Sequence, residues 1–186
     1  ILGIHDVVPE AILTSRYQKL KAKVIGRVAA TAIKCIPVSK KAVERQNDYL
    51  IHWKFDKEMS KELISYCKSQ EVTVNTFLSA VLLHAFKKVR GEAAFNKVSC
   101  PVDIRRFAPQ IKDDHIFAFG LMIVVSSDDK VSFSDNLWMM QESVERKTSK
   151  LNPYITMMVM ESAHDALKNF TKLLKHGKSS NDCMFS

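Results

Sequence analysis

The sequence predicts an α/β fold in which helices pack on a mixed β-sheet. Residues 72–90 have the apolar spacing of a helix and lead into a β-type segment at 98–104. The strongly apolar run at 117–126 indicates a further strand, and the segments that follow Ser132 and Pro153 are again helical in pattern. The predicted order is strand, helix, helix, strand, strand, helix, helix, strand, which is typical of a helix layer on a sheet.

Length and composition are those of one globular domain. The 186 residues are 46% hydrophobic and 26% charged, which excludes collagen-like, low-complexity and fully disordered chains. No apolar run reaches the roughly 18–20 residues that a membrane span requires, so no span is predicted. The four cysteines lie far apart without a CxxC pair, which favours free thiols, no metal site and a cytoplasmic location.

A formal net charge of +8 suggests an anionic partner. The densest basic group lies between Arg16 and Arg27, but it accompanies no nucleic-acid fingerprint. A solvated basic face is therefore preferred, and nucleic-acid binding is not expected.

Residues 1–48 are predicted to be a linker or a surface-packed segment. The alanines between Ala22 and Ile33 favour a helix, whereas Gly26 and the β-branched residues weaken it, and Pro37 ends it. Alternation then predicts a strand from Tyr49 to Phe55. The following helix is expected to be N-capped by Ser60 and to carry apolar residues at Met59, Leu63, Ile64 and Cys67.

The next helix is predicted to start at a Thr73 or Asn75 cap and to end at Gly91, beside cations that suit a helix C-terminus. Its wide apolar stripe predicts a mostly buried helix. After the strand at 98–104, Arg105 opens a polar loop.

The run at 117–126 is predicted to be a central strand that is buried on both faces. Ser132 and Asp135 form a capping-box pattern before the next helix. A last long helix is predicted after Pro153, ending near His176, and residues 182–186 begin a final strand. The chain also has the pattern of a piece cut at both ends.

Four stretches in this order resemble the C-terminal half of the chloramphenicol-acetyltransferase-like superfamily, which includes condensation domains. They are VTVNTFLSAVLLHAF at 72–86, CPVDIRR at 100–106, FGLMIVV at 119–125 and NDCMFS at 181–186. The resemblance implies a protein of two α/β lobes with a tunnel between them. Residues 49–186 would be the C-terminal lobe, and residues 1–48 an inter-lobe linker or surface segment.

The resemblance also implies where the chemistry lies. The family's HHxxxDG motif belongs to the first lobe, where a neutral histidine acts as the general base, and it does not occur in this sequence. His52 and Asp56 satisfy the shorter HxxxD form, but Ile51 replaces the first histidine and Lys57 the glycine. A strand histidine is the preferred interpretation of His52.

The predicted inter-lobe or tunnel residues are Asp103, Arg105, Phe119, Gly120 and Met122. Asp103 and Arg105 match a VDxR-like strand end, and strand alternation would put them on one side, as an ion pair or as a contact across the lobe boundary. That structural role is preferred over substrate contact. For Gly120, a tunnel glycine and a tight-packing glycine remain open. The methionines could line an acyl channel, although core packing is favoured.

By this resemblance the chain is the C-terminal part of an acyltransferase that moves an acyl group from a thioester to an alcohol or amine. Coenzyme A or a phosphopantetheine thioester would be the co-substrate, and the sequence contains no motif for a bound cofactor. The alternative is a noncatalytic scaffold or interaction domain. Expected partners are the missing N-terminal lobe, a small acyl donor and acceptor, and a second copy through self-association. Alone, the chain is expected to be inactive.

Overall fold

The computed structural model describes residues 4–35, 50–109, 120–166 and 180–185. Helices dominate these residues, with one small sheet among them. The helices are α1 Ile4–Val7, α2 Glu10–Thr14, α3 Arg16–Cys35, α4 Lys57–Ser69, α5 Val74–Arg90, α6 Phe133–Ser149 and α7 Pro153–Ser162. The strands are β1 Lys97–Asp103, β2 Gly120–Ser126 and β3 Cys183–Met184. Within the described ranges, no helix combines the length and the apolar character needed to cross a bilayer.

The chain is α/β, as predicted, and its sheet is mixed. The strand order is β2-β1-β3, so β1 is the middle strand of the described sheet. β3 runs parallel to β1, with Val98 opposite Cys183 and Ser99 opposite Met184. The final strand expected from residue 182 onward is therefore present as β3.

The prediction that residues 117–126 form a central strand buried on both faces is wrong for the part described. β2 lies at an edge of the described sheet, and its residues alternate between exposed and buried. Ile123 and Val125 are buried, whereas Met122 and Val124 are 47% and 39% exposed. Alternation of this kind is typical of a sheet that is covered on one face only.

Contacts divide the chain into two compact units. The first comprises the described residues within 1–45, 103–121 and 152–178. The second comprises those within 46–102, 122–151 and 179–186. The assignment of residues 1–48 to a linker and 49–186 to one lobe stays a prediction.

The core of the second unit lies between the sheet and the helices α5 and α6. Its most buried side chains include Leu83 on α5, Val98 on β1, and Leu137 and Met140 on α6. α5 is nevertheless not mostly buried as predicted. One side packs on the core, and Val89 on another side is 84% exposed.

Local capping explains where the helices of this unit begin. The Thr73 side chain accepts a hydrogen bond from the Thr76 amide, and the Ser132 side chain accepts one from the Asp135 amide, so both predicted caps are confirmed. Gly91 ends α5 with a φ of 54°, in the left-handed region that favours glycine.

A buried polar contact joins α5 to α6. The Gln141 carbonyl oxygen accepts hydrogen bonds from the Thr73 amide at 3.1 Å and from the Thr76 hydroxyl at 2.8 Å, while its amide donates to Glu145 at 2.8 Å. Gln141 is 7% exposed and Thr76 only 1%. Because buried polar groups are costly unless paired, this network fixes the start of α5 against α6.

Two predictions for the start of this unit are wrong. Residues 50–56 have no regular secondary structure, and α4 begins at Lys57 with Asp56, not Ser60, as its N-cap. The Asp56 carboxylate accepts from the Met59 amide at 2.8 Å, and the Ser60 hydroxyl donates to the Asp56 carbonyl. The carboxylate thus takes the cap position, and Ser60 lies inside the first turn.

In the first unit, α3 passes straight through Gly26, which was expected to weaken a helix. The reason is close packing of α3 on α7. A Cβ atom at Gly26 would lie 2.6 Å from the Ser162 Cβ and 2.9 Å from the Val159 carbonyl oxygen. Ala22 and Met158 are buried in the same contact. Tertiary packing therefore outweighs the propensity cost of the glycine.

α7 is shorter than the last helix predicted. It begins at Pro153, N-capped by the Asn152 side chain, and ends at Ser162. A 3-10 turn follows at His164–Ala166. The predicted continuation to residue 174 and the stop near His176 lie outside the described residues.

Candidate functional site

The end of β1 holds a bidentate ion pair between Asp103 and Arg105. Arg105 Nη2 lies 2.6 Å and Nε 2.9 Å from Asp103 Oδ2, and Nε is also 3.1 Å from Oδ1. The backbone amide of Arg105 donates to Asp103 Oδ1 at 2.9 Å. Two parallel N–H donors on one carboxylate orient the guanidinium plane, which a single-point lysine contact would not do.

The backbone after β1 explains this pair. Ile104 has helical-type torsion angles (φ −89°, ψ −7°) and a 1% exposed side chain, so the strand stops there and a 3-10 turn begins at Arg105. The turn folds Arg105 back over Asp103. Arg105 therefore meets Asp103 through a turn and not through strand alternation, which was the geometry expected. Whether the pair lies at a lobe boundary stays a prediction.

The other predicted tunnel residues lie on or next to β2. Gly120 is the first residue of β2 and is exposed, and Met122 is 47% exposed. Phe119 lies outside the described residues. Their assignment to a substrate tunnel stays a prediction.

His52 and Asp56 are not joined in a catalytic pair by any contact in the described part of the chain. His52 is exposed in the irregular segment before α4. The Asp56 carboxylate is occupied as the N-cap of α4, where it accepts from Met59. A general base needs a partner that orients its imidazole, and Asp56 is committed to the helix terminus instead.

A small cleft of about 250 Å³ lies in the second unit beside the end of α5. Lys87 Nζ lies 2.6 Å from Asp129 Oδ2 and 3.1 Å from Glu92 Oε1, and Asn96 donates to the same Asp129 oxygen at 2.8 Å. The hydrogen bond from Lys87, with a second from Asn96, holds the pKa of Asp129 below its usual value.

The same contacts act on the lysine of this cleft. Hydrogen bonds to Asp129 and then to Glu92 raise the pKa of Lys87 above its usual value. Both groups of the pair are consequently charged at neutral pH, so this pair is not poised for general acid or base catalysis.

The thiols with resolved shifts are unsuited to nucleophilic catalysis. Burial raises the pKa of Cys67, and burial followed by the Asp182 charge and Cys100 raises the pKa of Cys183. A raised pKa leaves less thiolate, which is the reactive form. Among the residues that the structure describes, no group of three or more His, Cys, Asp or Glu side chains is arranged to hold a metal ion.

A cleft of about 730 Å³ lies in the first unit between α3 and α7. Its lining includes Lys19, Lys23, Arg27 and Lys34 on α3 and Glu161 on α7. The sequence predicts a solvated face for this basic group. The signal that could have indicated a cleft was the four-residue spacing of Lys19, Lys23 and Arg27, which places them on one helix face.

Comparison with known proteins gives no assignment. No family model, no curated protein and no solved structure matches the chain.

Proposed function

We propose that this chain is the C-terminal part of an acyltransferase of the chloramphenicol-acetyltransferase-like superfamily. The whole protein would transfer an acyl group from a coenzyme A or carrier-protein thioester to an alcohol or amine. A histidine in the other lobe would take the acceptor's proton as the acceptor attacks the thioester carbonyl.

The observation that carries this proposal is the placement of the four resembling stretches on adjoining elements. The stretch at 72–86 contains most of α5, and 100–106 contains the end of β1 with its turn. Residues 120–125 belong to β2, and 183–184 form β3 beside β1 in the same sheet. Parts of all four stretches thus fall on α5 and the sheet of the second unit, which supports a common structural origin.

In this proposal the chain supplies residues that line the active site, and the general base comes from the other lobe. The Asp103–Arg105 ion pair would fix a guanidinium at the end of the middle strand. Residues at such strand ends commonly shape ligand sites in α/β folds. Asp103 and Arg105 would act as positioning residues.

The second unit also has an apolar surface that a further lobe could cover. Met122 and Val124 on β2 are 47% and 39% exposed, and Met184 on β3 is 69% exposed. Exposed apolar side chains on the two outer strands of one sheet favour an interaction surface over a solvated one. The missing N-terminal lobe of the same protein is the occupant proposed here.

The test uses the full-length protein. Release of free coenzyme A from an acyl-CoA is followed with and without alcohol or amine acceptors. We expect an HHxxxDG motif encoded upstream, and alanine at its second histidine should lower turnover by several orders of magnitude. The matched control, His52→Ala, should leave turnover intact.

Two results would redirect this proposal. Loss of turnover in a folded His52→Ala variant would identify His52 of this chain as the general base. A disrupted upstream motif, together with no acceptor-dependent turnover, would favour the noncatalytic scaffold instead.

A further inference from the structure

The cleft between α3 and α7 has the volume of a small-molecule site. Its volume is about 730 Å³, within the roughly 300–1,000 Å³ typical of ligand pockets. Ala22 and Met158 are buried where the two helices meet, and the partly exposed Leu13 and Ala30 give the cleft apolar surface that a ligand can reach. The cleft therefore offers an apolar floor.

The α3 side of the cleft is strongly basic. Lys19, Lys23, Arg27 and Lys34 all line it. With a helical rise of about 1.5 Å per residue, the Cα atoms of Lys19 and Arg27 are about 12 Å apart along the axis, and Lys34 lies about 10 Å further on. Such a row matches several separated negative charges better than a single anion.

These cations are not neutralised by the acidic residues of the cleft. Glu161 and Asp165 also line it, but no ion pair joins either of them to the four cations among the described residues. Four unpaired cations facing two carboxylates leave a net positive cleft. Lysine and arginine are the side chains that proteins use to hold phosphate groups.

We propose that this cleft binds an organic polyphosphate, a small molecule with two or more phosphate groups on a partly apolar body. The phosphates lie along the cations of α3, and the apolar part of the body lies against Leu13 and Ala30. The site belongs to the first unit alone and does not depend on the acyltransferase assignment.

The test measures binding to the intact chain by calorimetry in about 0.1 M salt, where long-range attraction is largely screened. The probes are ATP, inorganic tripolyphosphate and adenosine. The cleft variant is Lys23→Gln with Arg27→Gln. The matched control, Lys54→Gln with Lys61→Gln, removes two exposed lysines outside this cleft and changes the net charge equally.

We expect ATP to bind the wild-type chain and the control with similar affinity, and the cleft variant at least tenfold more weakly. Adenosine should not bind, and tripolyphosphate should bind more weakly than ATP. Glu161→Gln should tighten ATP binding about two- to fivefold because it removes a repelling carboxylate. A gain of affinity cannot come from misfolding.

Several results would overturn the proposal. These are no binding of ATP at millimolar concentration, equal weakening in the cleft and control variants, or equal affinity for ATP and adenosine. Tripolyphosphate binding as tightly as ATP would refute the apolar floor as part of the site.

Discussion

The carboxylate of Asp182 lies 3.2 Å from Nη1 of Arg90, at the junction of β3 with the start of β1. The Asp182 side chain is fully buried, and it also accepts from the Phe95 amide at 3.1 Å and the Lys97 amide at 3.4 Å. One aspartate thus satisfies two backbone donors and one guanidinium. It fixes the point where the two parallel strands enter the sheet.

Asp182→Ala is expected to destabilise the chain by about 3 kcal/mol, since it leaves the amides of Phe95 and Lys97 without their acceptor. Asp182→Asn keeps a carbonyl acceptor and should cost about 1 kcal/mol. Arg90→Gln removes only a partly exposed cation and should cost less than about 1 kcal/mol. Urea denaturation measures all three. An equal loss of stability in Asp182→Ala and Arg90→Gln would show that the ion pair, and not the contacts to the two amides, stabilises this junction.

Gly26→Ala should destabilise the contact of α3 with α7. The new Cβ would lie 2.6 Å from the Ser162 Cβ. Overpacking costs about 1–3 kcal/mol, and alanine's better helix propensity returns up to about 1 kcal/mol, so we expect a net loss of about 1–2 kcal/mol. Thermal unfolding followed by circular dichroism is the measurement.

The partner position supplies the control for this packing prediction. Ser162→Gly in the Gly26→Ala background should recover part of the loss, because it removes the 2.6 Å contact but not the 2.9 Å approach to the Val159 oxygen. Ser162→Ala keeps its Cβ and should recover nothing. Recovery by Ser162→Ala would contradict the steric explanation.

The cysteines should differ sharply in alkylation. Cys35 is exposed, Cys183 partly buried, and Cys67 and Cys100 are buried. We expect iodoacetamide to label Cys35 first and Cys183 slowly, since its pKa is raised by burial and by the Asp182 charge. Cys67 and Cys100 should react only in denaturant. Peptide mass spectrometry reads each site, and early labelling of Cys67 would contradict the described core.

The Lys87–Asp129 pair predicts a pH effect with a definite sign. Because the pKa of Asp129 is lowered in the folded chain, its contribution to stability is present above the unfolded value of about 3.9 and is lost as the pH falls through the folded pKa. Asp129→Asn should therefore lower stability at neutral pH and have no effect in strong acid.

An NMR titration of the Asp129 carboxyl carbon checks the origin of this effect. Its midpoint should lie below the usual aspartate value in the wild-type chain. In Lys87→Gln the midpoint should rise towards that value. An unchanged midpoint would assign the shift to Asn96 and not to the lysine.

Features set by neighbouring residues were predictable from the sequence. The caps at Thr73 and Ser132 and the end of α5 at Gly91 depend on side chains within one turn, and all three are confirmed. The α/β class also followed from periodicity. The Asp103–Arg105 pair was anticipated as one of two options, although the turn at Ile104 was not.

Features set by distant partners were not predictable. Gly26 looks like a helix breaker until Ser162 lies against it. Val124 lies in an apolar run, and only the sheet's covering on one face explains its exposure. The basic residues from Lys19 to Lys34 line a cleft only because α7 forms its opposite wall.

The parallel pairing of β1 with β3 also means that the sheet can be completed only late in synthesis. Val98 and Cys183 are separated by roughly 85 residues, and closing a loop of that length costs entropy that only late contacts repay. A nascent chain therefore exposes one side of β1 until β3 leaves the ribosome. α3 likewise packs on α7, which is translated more than a hundred residues later. A chain stopped after Leu151 would therefore expose both the side of β1 that pairs with β3 and the side of α3 that packs on α7.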